Sequence, residues 1–452
     1  MNRVLIIGAD FSPSSLPPAT RIRFFATHLA EFGWEPIVLT TKPEFYDWPT
    51  DPENESLLPE SLKVVRTDAL SAGWTRKIGF GDIGMRSLWS HWRAIKQICA
   101  KQRVDLIFIP VPPYVPMVLG RMAHRKFGIP YVVDYIDPWV TEYYWKVPRA
   151  QRPPKWPLAY SLSRLLEPYS LKRVAGITGV SKGTTDSVVN RYRYLADGQA
   201  TEIPYGAEAR DFEYVRSRPR PNPVFDKSDG LFHFSYVGAC IPGMYPAIRA
   251  LFSAVKLGLD RGEESFKNIR FHFIGTSYAP GGSSESPIVS IAKEVGIQNR
   301  VTEQSARVAY LDSLQIMLDS SALLLVGSDE PHYTASKVFP YLLSGRPVLA
   351  IFNVKSSVVP ILNNEPNAEL ISFNSNQPPA TKVEEITAKL IATIRKKSLP
   401  IAELTPATLG QYTTRALTRR LADAFDRAVM AQEQTSNSLW SATVKEVGVD
   451  RG

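Results

Sequence analysis

The stretch ALLLVGSDEPHYTASKVFPYLLSGRPVLA, residues Ala322 to Ala350, decides the fold. Ala322–Val326 is a short continuous apolar run, as a strand buried on both faces requires. Gly327 to Tyr333 reads as a polar loop with acids at Asp329 and Glu330. Thr334 or Ser336 can cap a helix whose apolar positions are Val338, Phe339, Tyr341, Leu342 and Leu343. Gly345 ends that helix, Pro347 follows, and Val348–Ile351 opens another buried strand. The unit is strand, loop, helix, strand. Ligands of open parallel sheets gather at the carboxyl ends of the strands, where this loop lies. The helix start beside it offers free N–H groups to a phosphate. Lys337, in the first turn, adds a cation there.

The same alternation runs outward in both directions. Arg3–Gly8, Pro36–Thr40, Leu62–Arg66, Asp105–Pro110, Pro130–Asp134 and Val174–Thr178 read as strands of a first half, with a helix over about Ala19–Phe32. After the first strand only Gly8 is present. A dinucleotide-binding G-x-G-x-x-G is missing, which argues against a nicotinamide site. Arg216–Pro223 alternates Arg and Pro, as an extended interdomain linker does. Leu231–Val237 and Ile269–Ile274 then restart the pattern. The expected organisation is an α/β chain of two Rossmann-like domains, 1–206 and 231–408, joined by a linker over 207–230. A helix over 409–430 follows, then a polar tail over 431–452 expected to be disordered.

The 452 residues are 44% hydrophobic and 21% charged, a globular composition. No run is long and apolar enough to span a bilayer, and no signal peptide is expected. Cys99 and Cys240 make no metal or redox spacing, which suits a reducing, cytoplasmic setting. No dedicated metal-ligand cluster is visible. The net charge of +9 favours acidic partners. Helix-turn-helix, zinc-finger and RNP patterns are absent, so no nucleic-acid partner is expected. Glu142–Trp156 mixes Tyr143, Tyr144, Trp145 and Trp156 with Lys146, Arg149, Arg152 and Lys155. Such a mixture suits a peripheral contact with anionic membrane at its inner face, an acceptor carrying a phosphate, or an ordinary solvated loop.

The opening stretch resembles the donor-site segment of GT-B glycosyltransferases of the GT4-like group, SK(V/L)(F/Y)EYLA(A/S)G(K/R)PVLA. Ser336, Lys337, Val338, Phe339, Tyr341, Leu342, Ser344, Gly345, Arg346, Pro347 and Val348 match. Phe11, Pro13, Arg21, Leu29, Gly33, Trp34 and Glu35 resemble the opening of such enzymes. Asp137 and Trp139 resemble the segment where relatives carry His-Asp followed by an aromatic, with Ile136 in place of that His. Val180–Ser181 and Ile203–Gly206 resemble two further turns of the first domain.

The resemblance implies a GT-B fold: two Rossmann-like domains facing across a cleft, with the last helix returning to the first. It implies transfer of a hexosyl group from a nucleotide sugar to a saccharide or lipid-linked acceptor, with retention, in polysaccharide or glycoconjugate synthesis. No cofactor is implied. Lys337 and Asp137 would be catalytic. Gly238, Gly275, Arg307, Asp329, Glu330, Ser336 and Lys337 would bind the donor. Arg21, Asp137 and Trp139 would meet the acceptor. Read from the residues alone, Asp134 and Asp137 either handle an acceptor hydroxyl or cap a turn.

Two departures stand out. Relatives follow the Tyr-Val-Gly turn with an Arg and a Lys that neutralise the donor diphosphate. Here Gly238–Tyr245 carries neither, leaving Lys337, Arg249 or backbone N–H groups for the task. The family also pairs two Glu, whose counterparts are His332 and Pro340. Two alternatives follow: a nucleotide-sugar epimerase on the same fold, or a degenerate GT-B binding protein.

Overall fold

The computed structural model describes residues 1–79, 81–149, 152, 155–195, 198–277, 286–330, 335–399 and 410–448. They divide into two compact units, Met1–Tyr205 with Thr414–Gly452, and Gly206–Thr413.

The first unit is built on β1 (Asn2–Ile7), β2 (Trp34–Thr41), β3 (Lys63–Thr67), β4 (Leu106–Val111), β5 (Tyr131–Tyr135), β6 (Gly176–Gly179) and β7 (Ala200–Glu202). All pair in parallel, in the order β3-β2-β1-β4-β5-β6-β7. The strands β1, β4 and β5 are apolar because helices cover both faces. The helix Pro17–His28 starts on two prolines, whose fixed φ suits a first turn. It buries Ile22, Phe25 and Ala26 against β1 and β4. Gly33, at φ +84°, then turns the chain into β2.

The terminal helix, Thr414–Gly448, completes this unit. Leu417, Leu421 and Phe425 are buried. The Phe425 ring meets Trp34 edge-on at 5.3 Å and Phe108 at 5.1 Å. Trp34 Nε1 donates to Asp426 at 3.0 Å. Where the sequence suggested disorder from 431, helix continues to Gly448. Residues 430–447 hold no Pro or Gly, so an already nucleated helix extends at little cost.

The second unit carries β8 (Phe232–Val237), β9 (Ile269–Ile274), β10 (Val301–Gln304), β11 (Ala322–Val326), β12 (Val348–Asn353) and β13 (Ala368–Phe373). Its order is β10-β9-β8-β11-β12-β13, again all parallel. Both sheets therefore reverse direction beside their first strand, between β1 and β4 and between β8 and β11. That switch point is where α/β sheets take ligands. The expected linker over 207–230 differs from what is seen. It begins with a helix, Ala209–Ser217, and belongs to the second unit. Arg220 holds it there, through its Nε to Asp312 at 2.7 Å and its backbone N–H to Gln315 at 3.1 Å. Arg216 donates to Ser344 O at 3.2 Å, so it and Arg220, which looked like linker composition, are side-chain anchors.

Phe425→Ala removes a ring from the middle of the first unit's core. It is expected to cost about 3–5 kcal/mol in denaturant unfolding of the full chain. An unchanged midpoint would mean that the terminal helix adds nothing to that core.

Candidate functional site

At the switch point of the second unit, β8 ends in Tyr236, Val237 and Gly238. Tyr341, on the helix Val338–Ser344, accepts the Val237 N–H through its hydroxyl at 2.7 Å, which fixes that helix against the strand end. Lys337 stands just before the helix. Its ammonium lies over the Tyr236 ring, 3.8 Å from the centroid. Gly238 has φ +130°, and a Cβ there would sit 2.7 Å from the same Nζ. The backbone of Gly238 thus leaves room for the lysine head. Burial lowers the Lys337 pKa from 10.5 to about 8. Among the described residues no carboxylate pairs with it. An aromatic face offsets part of the cost of burying a cation, by up to about 2 kcal/mol. An anion arriving at the strand end would offset the remainder.

The surrounding turns are tied together by backbone. Gly238 N–H donates to Ile274 O at 2.7 Å, and Gly275 N–H to Gln304 O at 2.7 Å. Gly275 has φ +71°, and its missing Cβ would approach Arg307 Cα at 3.6 Å and Gly238 Cα at 4.0 Å. So Gly238, Gly275, Arg307 and Lys337 come together. Asp329 joins at one remove: its N–H donates to Gly243 O at 2.9 Å, and Ser328 Oγ donates to its carboxylate at 3.1 Å. Glu330 and Ser336 are exposed.

Three sequence expectations change. First, the helix begins at Val338 with Lys337 in the cap position and no side-chain cap, where Ser336 was a candidate. Val338 N–H is used by Ala335 O, Pro340 has no N–H, and Tyr341 N–H closes on Lys337 O. This short helix therefore has little to offer a phosphate, and the charge must come from Lys337. Second, Arg249 pairs with Glu294 at 2.6 Å, so its charge is already compensated. Third, the turn Gly275–Ser277 is not open to phosphate on its helix side. Glu303 accepts the N–H groups of Ile288 and Val289, at 2.9 and 3.2 Å, and the Thr276 hydroxyl at 3.0 Å. A carboxylate already fills the N-terminus of the helix Pro287–Val295. Thr334 and His332 lie outside the described residues. Tyr236 was missed in the sequence, because nothing local marks which aromatic of a strand faces a lysine distant in the chain, and Tyr341 was read only as an apolar helix position and a motif match.

In the first unit, Arg21 is not available to an acceptor. Its Nε and Nη2 reach the two Asp134 oxygens at 2.6 and 2.9 Å, and both residues are buried. Nη2 also donates to Ile203 O at 2.7 Å and Nη1 to Pro204 O at 3.2 Å. Thr178 adds a hydroxyl to Asp134 at 2.6 Å. Asp137 lies three residues beyond Asp134 and is exposed at the carboxyl end of β5. Partial burial of its surroundings raises its carboxyl pKa above 3.8. Trp139 stacks on Tyr114, with ring centres 5.4 Å apart. The Tyr114 hydroxyl donates to Asp137 O at 3.2 Å. Asp137 and Trp139 thus share one loop, and Arg21 is held away from it in the interior. A group that sequence reasoning passed over is Asp10, after β1. Burial pushes its carboxyl up to about 6, and Ser14 Oγ donates to it at 2.7 Å.

Among the described residues no cluster of three or more His, Cys, Asp or Glu is placed to hold a metal ion. No described helix is long and apolar enough to cross a membrane.

Residues 18–206 match the family described as "Glycosyl transferase 4-like domain". Those residues carry a domain of that description, and the two parallel sheets of the chain are those of the GT-B fold. A glycosyltransferase from Rickettsia africae is similar over 95% of this chain and 98% of its own, at 11% identity and a TM-score of 0.56. Anabaena HepE, solved with UDP and glucose, is similar over 98% and 100%, at 14% identity and a TM-score of 0.52. An α,α-trehalose-phosphate synthase (UDP-forming) from Burkholderia xenovorans, solved with glucose-6-phosphate, is similar over 94% and 100%, at 12% identity and a TM-score of 0.55. No curated protein matches the sequence.

The lowered pKa of Lys337 gives this site a pH signature. A lysine with pKa about 8 loses its charge as pH rises through that value. Nucleoside diphosphate affinity is therefore expected to fall roughly tenfold between about pH 7 and pH 9. Titration calorimetry in buffers of different ionisation heat should show proton uptake on binding near pH 8. A flat profile with no proton uptake would remove Lys337 from the site.

Proposed function

We propose that the chain transfers a hexosyl group from a nucleotide sugar to a saccharide or lipid-linked acceptor. The carrying observation is the Lys337 ammonium, seated on Tyr236 at the end of β8 with no carboxylate partner among the described residues. In the departure of a nucleoside diphosphate, negative charge grows on the phosphate oxygens. A fixed cation in a poorly solvated place stabilises that charge more than it stabilises the intact donor. Gly238 and Gly275 let the backbone approach the phosphates closely, and Arg307 and Asp329 border the same turns. We assign Ser336 and Glu330, both on the surface, to the donor's sugar side. Asp137 would accept or orient an acceptor hydroxyl, with Trp139 as an apolar platform for the acceptor ring. UDP is the first nucleotide to test, since it stands in the HepE complex and in the name of the trehalose-phosphate synthase. Retention of configuration, a role in cell-surface glycoconjugate synthesis and a cytoplasmic setting belong to this reading.

One observation favours a second reading, a GT-B protein that binds without catalysing. Arg249 is held by Glu294, so the neighbouring helix contributes no second cation.

A thermal-shift panel with UDP, GDP, dTDP, ADP and CMP separates the two. A nucleotide at about a hundred times its dissociation constant adds roughly 2.7 kcal/mol of stability. One nucleotide is expected to raise the melting temperature, and its sugar conjugate to be consumed in the presence of acceptor. Lys337→Ala should then lower turnover about 10²–10³-fold with the fold intact. Binding without turnover would select the second reading, and near-normal turnover in the variant would overturn the assignment of Lys337.

A further inference from the structure

The helix Trp156–Leu171 is built the wrong way round for a helix in water. Its buried side carries Ser163, Glu167 and Ser170 beside Trp156 and Leu171. Glu167 is fully buried and accepts from Tyr192 at 2.7 Å, Arg191 at 3.1 Å and Tyr135 at 3.2 Å. Its outer side carries Leu158, Leu162, Leu165 and Tyr169, spaced i, i+4, i+7 and i+11, which places them in one line. Leu158 is 66% exposed, Leu165 68% and Tyr169 37%, with Leu162 half-buried. Single exposed leucines are ordinary, but an apolar line opposite a polar interior calls for something apolar outside.

The surroundings specify what that is. Trp145 is 54% exposed and is held at the start of this helix, 4.6 Å from Trp156 and 5.8 Å from Tyr160, edge-on to both. The Arg152 guanidinium lies within 6.0 Å of the Trp145 and Trp156 rings. Lys155, Arg164, Lys172 and Arg173 are exposed. Among the described residues none of these four has a carboxylate partner. From Val140 to Arg173 there are seven Lys and Arg against two acids, Glu142 and the buried Glu167. Indole and leucine side chains between unpaired cations match the interface of a bilayer with anionic headgroups.

We infer that the outer face of the Trp156–Leu171 helix, with Trp145, docks on an anionic lipid surface. The helix lies flat, its leucines reach the acyl boundary, and the basic side chains meet the headgroups. The loop carrying Asp137 and Trp139 precedes this element in the chain. The inference needs neither donor nor transfer and stands apart from the proposed reaction.

The test is sedimentation of the full chain with vesicles. The protein should pellet at low salt with equimolar phosphatidylcholine and phosphatidylglycerol, and stay in solution with phosphatidylcholine alone. Leu158→Glu with Leu165→Glu should weaken binding on the order of tenfold or more at an unchanged melting temperature. If that pair melts early, Leu158→Ser with Leu165→Ser should give the same direction. Lys172→Gln with Arg173→Gln should weaken binding several-fold and flatten its salt dependence. The inference is overturned if the wild type stays in solution with the anionic vesicles. It is equally overturned if the leucine variants pellet like the wild type, or if they only turn a dimer into a monomer, which would make a second copy the occupant.

Discussion

The first unit is organised by one buried ion pair. Arg21 and Asp134 meet through two hydrogen bonds with almost no solvent around them. Such a pair gains little net stability, because desolvating both charges offsets most of their attraction. Its value is geometric. Arg21 sits on the first helix, Asp134 at the end of β5, Thr178 on β6, and Ile203 and Pro204 at the exit of the unit. Four separate segments meet at this one ion pair. With Asp134 fixed, the loop that follows it, with Asp137 and Trp139, is held at the strand end.

Lys337 is the opposite case in the second unit. Its ammonium has only an aromatic ring for company, and burial lowers its pKa. An arginine cannot lose its proton in a protein interior, so it must find full compensation. A lysine can sit under-compensated at moderate cost and respond to an arriving anion. The residue types at positions 21 and 337 therefore suit their different fates: one a fixed joint, the other a charge held in reserve.

Much of this was legible in the chain. The strands β9 and β11 coincide with the runs read from the sequence, since parallel strands buried on both faces leave a continuous signal. Gly33 and Gly345 mark helix ends for a local reason, their positive φ. The candidate site was less legible. Lys337 stood out by pattern, but Tyr236 did not, because their meeting depends on two elements about a hundred residues apart. Arg21 looked like a ligand because sequence shows charge and hides partners. Arg220 looked like linker composition for the same reason. The inverted helix Trp156–Leu171 escaped notice because its apolar periodicity is that of any amphipathic helix. Only the burial of Glu167 shows which side faces in.

The division of the chain has a consequence for the order of its birth. Gly206–Thr413 is continuous, so every strand of its sheet has left the ribosome before the terminal helix is made. The first unit has no such autonomy. Trp34 and Phe108 wait for Phe425, nearly the whole length of the chain later. During synthesis the middle of the protein can close its core while the beginning still shows an unfinished one. The earliest residues to emerge are among the last to be sealed.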